Sequence, residues 1–79
     1  MIETLFELVA EKFGDLNPSI SGEVVSIRND WRWCNMSIHD SVLLQYFGNI
    51  GSGECSYPMN RTDSLDESLE QAIKDVLGV

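Results

Sequence analysis

Ile2, Leu5, Phe6, Val9, Ala10 and Phe13 recur at i, i+3, i+4, i+7, i+8 and i+11, the repeat of one face of an α-helix. The spacing predicts an amphipathic helix over residues 2–13. Gly14 stands where a left-handed C-cap is wanted, and Lys12 sits in the last turn, where a cation suits the helix dipole. Residues 15–18 read as a loop, because Pro18 bars helical continuation.

From residue 20 the helical repeat disappears. Val24, Val25 and Ile27 among Ser, Glu and Arg predict a first strand over 20–29, and Asn29-Asp30 supplies residues that tolerate positive φ in a hairpin turn. Residues 31–38 predict a second strand, whose alternation separates Trp31, Trp33, Asn35 and Ser37 from a core face of Arg32, Cys34, Met36 and Ile38. After the polar break His39-Asp40-Ser41, residues 42–47 form a run of β-formers expected to be a central strand buried on both faces. The glycine-rich stretch 48–53 reads as a turn, and residues 54–59 as a short fourth strand that Pro58 assigns to a sheet edge.

Helical periodicity returns with Leu65, Leu69, Ala72, Ile73, Val76 and Leu77 on one face. Ser64 and Glu67 have the spacing of a capping box, so the helix is expected over 64–77, with Gly78 as its C-cap and Glu70–Lys74 as an i, i+4 pair. The order α-β-β-β-(β)-α predicts an α+β fold, an antiparallel sheet with both helices on one face, as a single domain over 1–79.

Charge narrows the function. Thirteen Asp and Glu against five Lys and Arg give a net charge of −8 in 79 residues. The resulting field repels phosphate backbones and anionic headgroups, and the five cations, Lys12, Arg28, Arg32, Arg61 and Lys74, are scattered. Direct binding to nucleic acid or membrane is therefore disfavoured. Acidic Glu3 and Glu7 stand where a signal peptide would carry Lys or Arg, and a cytoplasmic location is expected. A chain of this length buries only about 60% of its unfolded surface, leaving little apolar area to enclose a substrate.

The candidate chemistry is thin. His39-Asp40-Ser41 holds the residue types of a catalytic triad, but sequence neighbours cannot align along one hydrogen-bond line, and Asp and Ser are ordinary turn residues. Gly48, Gly51 and Gly53 lack the G-K-[ST] ending of a phosphate-binding loop and lead into a strand. One His and two distant Cys make no zinc pattern and no calcium loop is present, so neither metal nor cofactor is expected, and catalysis is not. Cys34 and Cys55 read as buried reduced thiols, with a bridge between neighbouring strands as the alternative.

Two surface patterns remain. Trp31 and Trp33, beside Arg28, fall opposite the core face and predict an exposed aromatic patch of the kind that anchors partners. Glu3, Glu7 and Glu11 recur every four residues as a like-charged stripe, and Asp63, Asp66, Glu67 and Glu70 cluster at the start of the last helix. Together these nine positions are the candidate partner-binding residues. In size and charge the chain resembles phage-encoded anti-defence proteins, the anti-CRISPR inhibitors and anti-restriction DNA mimics, although no segment carries a diagnostic motif and no residue roles transfer. The expected function is a non-enzymatic inhibitor that docks on a basic, nucleic-acid-binding surface of a protein partner. The alternative is an interaction or homodimerisation module built on the Trp31/Trp33 face.

Overall fold

The computed structural model describes residues 1–59 and 63–79, so Arg61 lies outside the described residues. Helix α1 spans Ile2–Phe13 and α2 spans Glu67–Leu77. Between them run β1 Ser19–Ser21, β2 Val24–Asn29, β3 Arg32–Ile38, β4 Val42–Gly48 and β5 Gly51–Tyr57. The five strands form one antiparallel meander in the order β1-β2-β3-β4-β5. Both helices pack on one face of it, the predicted α+β arrangement with one strand more than expected.

The apolar positions explain the layering. Leu5, Leu8 and Val9 of α1 and Leu69, Ile73, Val76 and Leu77 of α2 are buried against Val25, Ile27, Cys34, Met36, Val42 and Leu44 of the sheet. Burying each large aliphatic side chain contributes roughly 1.5–3 kcal/mol. The face of residues 31–38 assigned to the core is the one that the helices cover, with Cys34 and Met36 fully buried and Arg32 and Ile38 half-buried.

Local boundaries depart from expectation for identifiable reasons. Gly14 is right-handed (φ −56°), and α1 tightens into a 3-10 turn over Gly14–Leu16. The left-handed residue is Asn17 (φ 53°), whose N–H donates to the Gly14 carbonyl at 3.0 Å. Pro18 disfavours the right-handed region for Asn17, and Asn tolerates the left-handed one. The strand expected over 20–29 is two strands, because Gly22 (φ 58°) makes a two-residue turn with Glu23 and folds Ser21 back onto Val24. The next turn is Asp30-Trp31, one residue later than expected, with Asp30 at φ 64° and Asn29 paired to Arg32. Trp31 thus leaves the strand.

The strand expected to be buried on both faces is covered on one only. In β4, Val42 and Leu44 are buried while Gln45 and Phe47 are exposed, because no helix covers the other side. The turn expected over 48–53 shrinks to Asn49-Ile50, closed by the Gly48–Gly51 pair. The fourth expected strand accordingly starts earlier, at Gly51, and stops at Tyr57, leaving Pro58 and Met59 outside it. It is an edge strand, as Pro58 suggested.

Helix α2 starts at Glu67, and its cap is Asp66, whose carboxylate accepts the Leu69 N–H at 3.0 Å. The Ser64–Glu67 capping box does not form. Leu65, buried in the core, fixes the entry of the chain so that Asp66 stands at the helix end. The other end follows expectation: Gly78 is left-handed (φ 73°) and its N–H donates to the Lys74 carbonyl at 2.8 Å. Asn29 Nδ2 (2.9 Å) and Arg32 Nη1 (3.1 Å) both donate to the otherwise orphaned carbonyl of Leu77, and the guanidinium complements the negative end of the dipole. The Asn49 N–H bonds the Val76 carbonyl at 2.9 Å, and a Cβ on Gly48 would run into that same carbonyl. Three strand ends therefore grip the C-terminus of α2.

Candidate interaction surfaces

The open face of the sheet has an aromatic end and a polar middle. Trp33 pairs across strands with Phe47 and stacks on it at 6.3 Å, while Trp31, reaching in from the turn, meets Phe47 edge-on at 5.7 Å. Trp31 is 51% and Phe47 44% exposed; Trp33 is half-buried between its neighbours. Arg32 lies 5.2 Å from the Trp31 ring centre, and Arg28 reaches back through Nε and Nη2 to the Asp30 carbonyl at 3.3 and 3.1 Å. Both tryptophans lie on the open side, but only Trp31 is exposed as expected, whereas Trp33 is half-covered by Phe47. Phe47 was missed because its strand was expected to be covered on both sides; its register opposite Trp33 is what the sequence did not supply.

Beside the rings a row of polar side chains crosses four strands: Ser26 opposite Asn35, Asn35 opposite Gln45, Gln45 opposite Glu54. Gln45 Nε2 donates to Glu54 Oε1 at 2.8 Å. A groove of ≈ 520 Å³ opens here between Asn17, Ser19, Ser26, Arg28, Trp33 and Asn35. It is open to solvent, and its walls combine amides, hydroxyls and one guanidinium with Ile27 and the Trp33 ring, with no paired acid and base.

His39-Asp40-Ser41 forms the turn between β3 and β4, with the His39 N–H donating to the Ser41 carbonyl at 2.9 Å. The His39 ring meets Ser37, Oγ to Nε2 at 3.3 Å, two residues back along the chain. The i, i+2 spacing of a strand carries that signal, whereas the contiguous triplet hides it. The contact is exposed, and no carboxylate orients the other ring nitrogen among the described residues. No group of three His, Cys, Asp or Glu gathers into a metal site among the described residues.

The acids differ in their surroundings. Glu3, Glu7 and Glu11 all lie exposed on α1; Glu3 meets the Met1 amine at 3.5 Å, and neither Glu7 nor Glu11 has an ion-pair partner among the described residues. In the second cluster Asp66 is consumed as the helix cap, and Glu70 is held by Lys74 at 3.3 Å and by Lys12 of α1 at 3.9 Å. Glu67 and Asp63 are exposed. The α1 stripe lies on the helical side and the aromatic cluster on the open side, so the nine candidate residues form separate surfaces. One rigid partner surface cannot cover both.

The cysteines part company as well. Cys34 is fully buried, and burial pushes its thiol up to about 12. Cys55 is exposed, contrary to the expectation that both are buried, because β5 extends past the helical layer. Both are free thiols. They stand on β3 and β5 with β4 between, roughly 10 Å apart by strand spacing, beyond the reach of a disulfide. Tyr57 is likewise pushed up to about 12, by burial first and then by the hydrogen bond and charge of Cys55.

No described helix is long and apolar enough to cross a membrane. No protein-family model, curated protein or solved structure matches the chain.

Proposed function

We propose that this chain is a non-enzymatic binding protein whose α1 stripe docks on a basic, nucleic-acid-binding surface of a partner protein and blocks it. The observation that carries this reading is the spacing of exposed charge. Glu3 and Glu11 lie eight residue steps apart along the helix, about 12 Å at 1.5 Å per residue, with Glu7 midway. One strand of duplex DNA presents roughly three to four phosphates over the same axial length. A surface of Lys and Arg shaped for a phosphate strand therefore finds a similar line of charge on a rigid rod. Like charges at i, i+4 cost an isolated helix a few tenths of a kcal/mol per pair, and nothing in the packing of α1 requires them. The same spacing favours a nucleic-acid-binding protein as the partner, in keeping with the resemblance in size and charge to anti-defence mimics.

The test is affinity capture from a host lysate with the wild-type chain and the triple variant Glu3→Lys, Glu7→Lys, Glu11→Lys, at low and at high salt. The wild type is expected to retain a basic nucleic-acid-binding protein that elutes as salt rises, and the variant to retain none while melting like the parent. Salt-insensitive capture by both chains would end the mimicry reading.

A second reading is favoured by the exposure of Trp31 and Phe47, which no described element covers. Here two copies pair through the aromatic end of the open face. Sedimentation of the Trp31→Ala, Trp33→Ala double variant against the wild type decides it: a salt-independent dimer lost in the variant supports the second reading, and a monomeric wild type at high concentration excludes it.

A further inference from the structure

The two edges of the sheet are built differently. At one end β1 has three residues, is closed off by Pro18 and turns sharply at Gly22. Such a short edge offers little to pair with. At the other end β5 has seven residues, each pairing β4 from Gly51 opposite Gly48 to Tyr57 opposite Val42. The two-residue turn makes Gly48–Gly51 a hydrogen-bonded pair, so alternation turns the N–H and C=O groups of Gly51, Gly53, Cys55 and Tyr57 toward β4. Those of Ser52, Glu54 and Ser56 point out of the sheet. In the sheet order β5 is the last strand, with no sixth strand beside it among the described residues. Within β5 there is no Lys, no Pro and no bulge, the devices that normally blunt a free edge.

The side chains state what would fit. Glu54 sits at the middle of the strand on the open face, exposed, and is the one charged residue of β5. On the other face Cys55 is exposed and Tyr57 half-buried beside the helical layer, so an added strand would cover a thiol and a ring there. Gly53 offers no hindrance, since its missing side chain is replaced by the Tyr46 ring lying across it, with the hydroxyl 3.2 Å from the Cβ position. A second copy fits poorly: the register of fullest overlap sets Glu54 opposite its own copy, between two chains of charge −8.

We infer that the free edge of β5 takes up an extended segment of a partner protein as a sixth strand, one that alternates apolar residues, facing Cys55 and Tyr57, with Lys or Arg, facing Glu54. This surface is distinct from the α1 stripe and stands or falls separately from it. The probe is a synthetic seven-residue peptide of alternating Val and Lys, compared with a peptide of the same composition that has its valines and lysines in separate blocks. Binding is followed by calorimetric titration and by amide hydrogen exchange on the intact chain. The alternating peptide should bind and slow exchange at Ser52, Glu54 and Ser56, while the block peptide does neither. Glu54→Lys should weaken binding roughly fivefold and transfer preference to a Val-Glu peptide. Ser56→Pro, which removes one outward donor and leaves the inward ladder whole, should weaken it by a similar factor. Equal binding of both peptides, or slowed exchange confined to α1 or β1, overturns the inference. Slowed exchange at the same three amides without peptide, in a chain that sediments as a dimer, assigns the edge to a second copy and overturns it too.

Discussion

The two faces of the sheet are made from the same strands and obey different rules. Residue by residue, Val25, Ile27, Cys34, Met36, Val42 and Leu44 alternate with Ser26, Arg28, Trp33, Asn35, Leu43 and Gln45. The first set is sealed by two helices and the second meets solvent. On the covered side, stability and shape leave little freedom, down to a glycine at 48 that admits the Val76 carbonyl. On the open side, an aromatic cluster, a polar row and a groove coexist without a common packing requirement. A small domain can thus place its stability on one face and keep the other for recognition, because only one layer of helix is needed to close a core.

The sharpest break in this contrast should come from paired truncations. Leu44→Ala, on the covered face of β4, is expected to cost about 2–5 kcal/mol in urea unfolding. Phe47→Ala, three residues on and 44% exposed, should cost about 1–2 kcal/mol. Near-equal losses would mean that the open face carries as much of the fold as the covered one.

Gly48→Ala comes next, at about 1–3 kcal/mol, because its Cβ would force α2 off the β4–β5 turn. The measurement is again urea unfolding, with a melt identical to the parent counting against the described grip on the helix end.

The thiols provide a comparison along the covered face itself. Cys34 keeps its proton to about 12 in the folded chain and gives it up near 9.0 when unfolded. Between those values the unfolded state has lost a proton that the native state retains, so the Cys34 contribution to stability falls as pH rises, by at most roughly 1.4 kcal/mol per pH unit. A thiol reagent at neutral pH should label exposed Cys55 in the native chain and reach Cys34 only in denaturant. Rapid native labelling of both would show that the helical layer does not seal β3.

Smaller effects belong to the helix surfaces. Asp66→Ala removes the α2 cap and should lower stability by about 1 kcal/mol, whereas Ser64→Ala should leave a thermal melt unchanged. Least of all, Glu7→Ala on exposed α1 should move it by less than about 0.5 kcal/mol. A larger change would give that side chain a structural role that its exposure does not suggest.

The candidate surfaces were legible to unequal degrees. The α1 stripe could be read completely, since positions 3, 7 and 11 of a helix share a face whatever else the chain does. The second acidic cluster could not, because choosing Asp66 over Ser64 as cap depended on where buried Leu65 anchors the chain, and the Lys12–Glu70 pair depended on two helices lying side by side. The aromatic pair was visible by alternation, but its third member needed the register of β3 on β4. Asn29, read as a turn residue, proved to be a ligand of the α2 carboxyl end 48 residues away.

Local rules, which act over a turn of helix or a pair of strand residues, let the sequence alone determine two amphipathic helices, the left-handed Gly78 cap and the core alternation of residues 32–38. Tertiary structure decided what depends on distant neighbours: the exposure of one side of β4, the emergence of Cys55 beyond the helices and the free edge of β5. A period says which side chains share a face. Only packing in three dimensions says whether anything covers it.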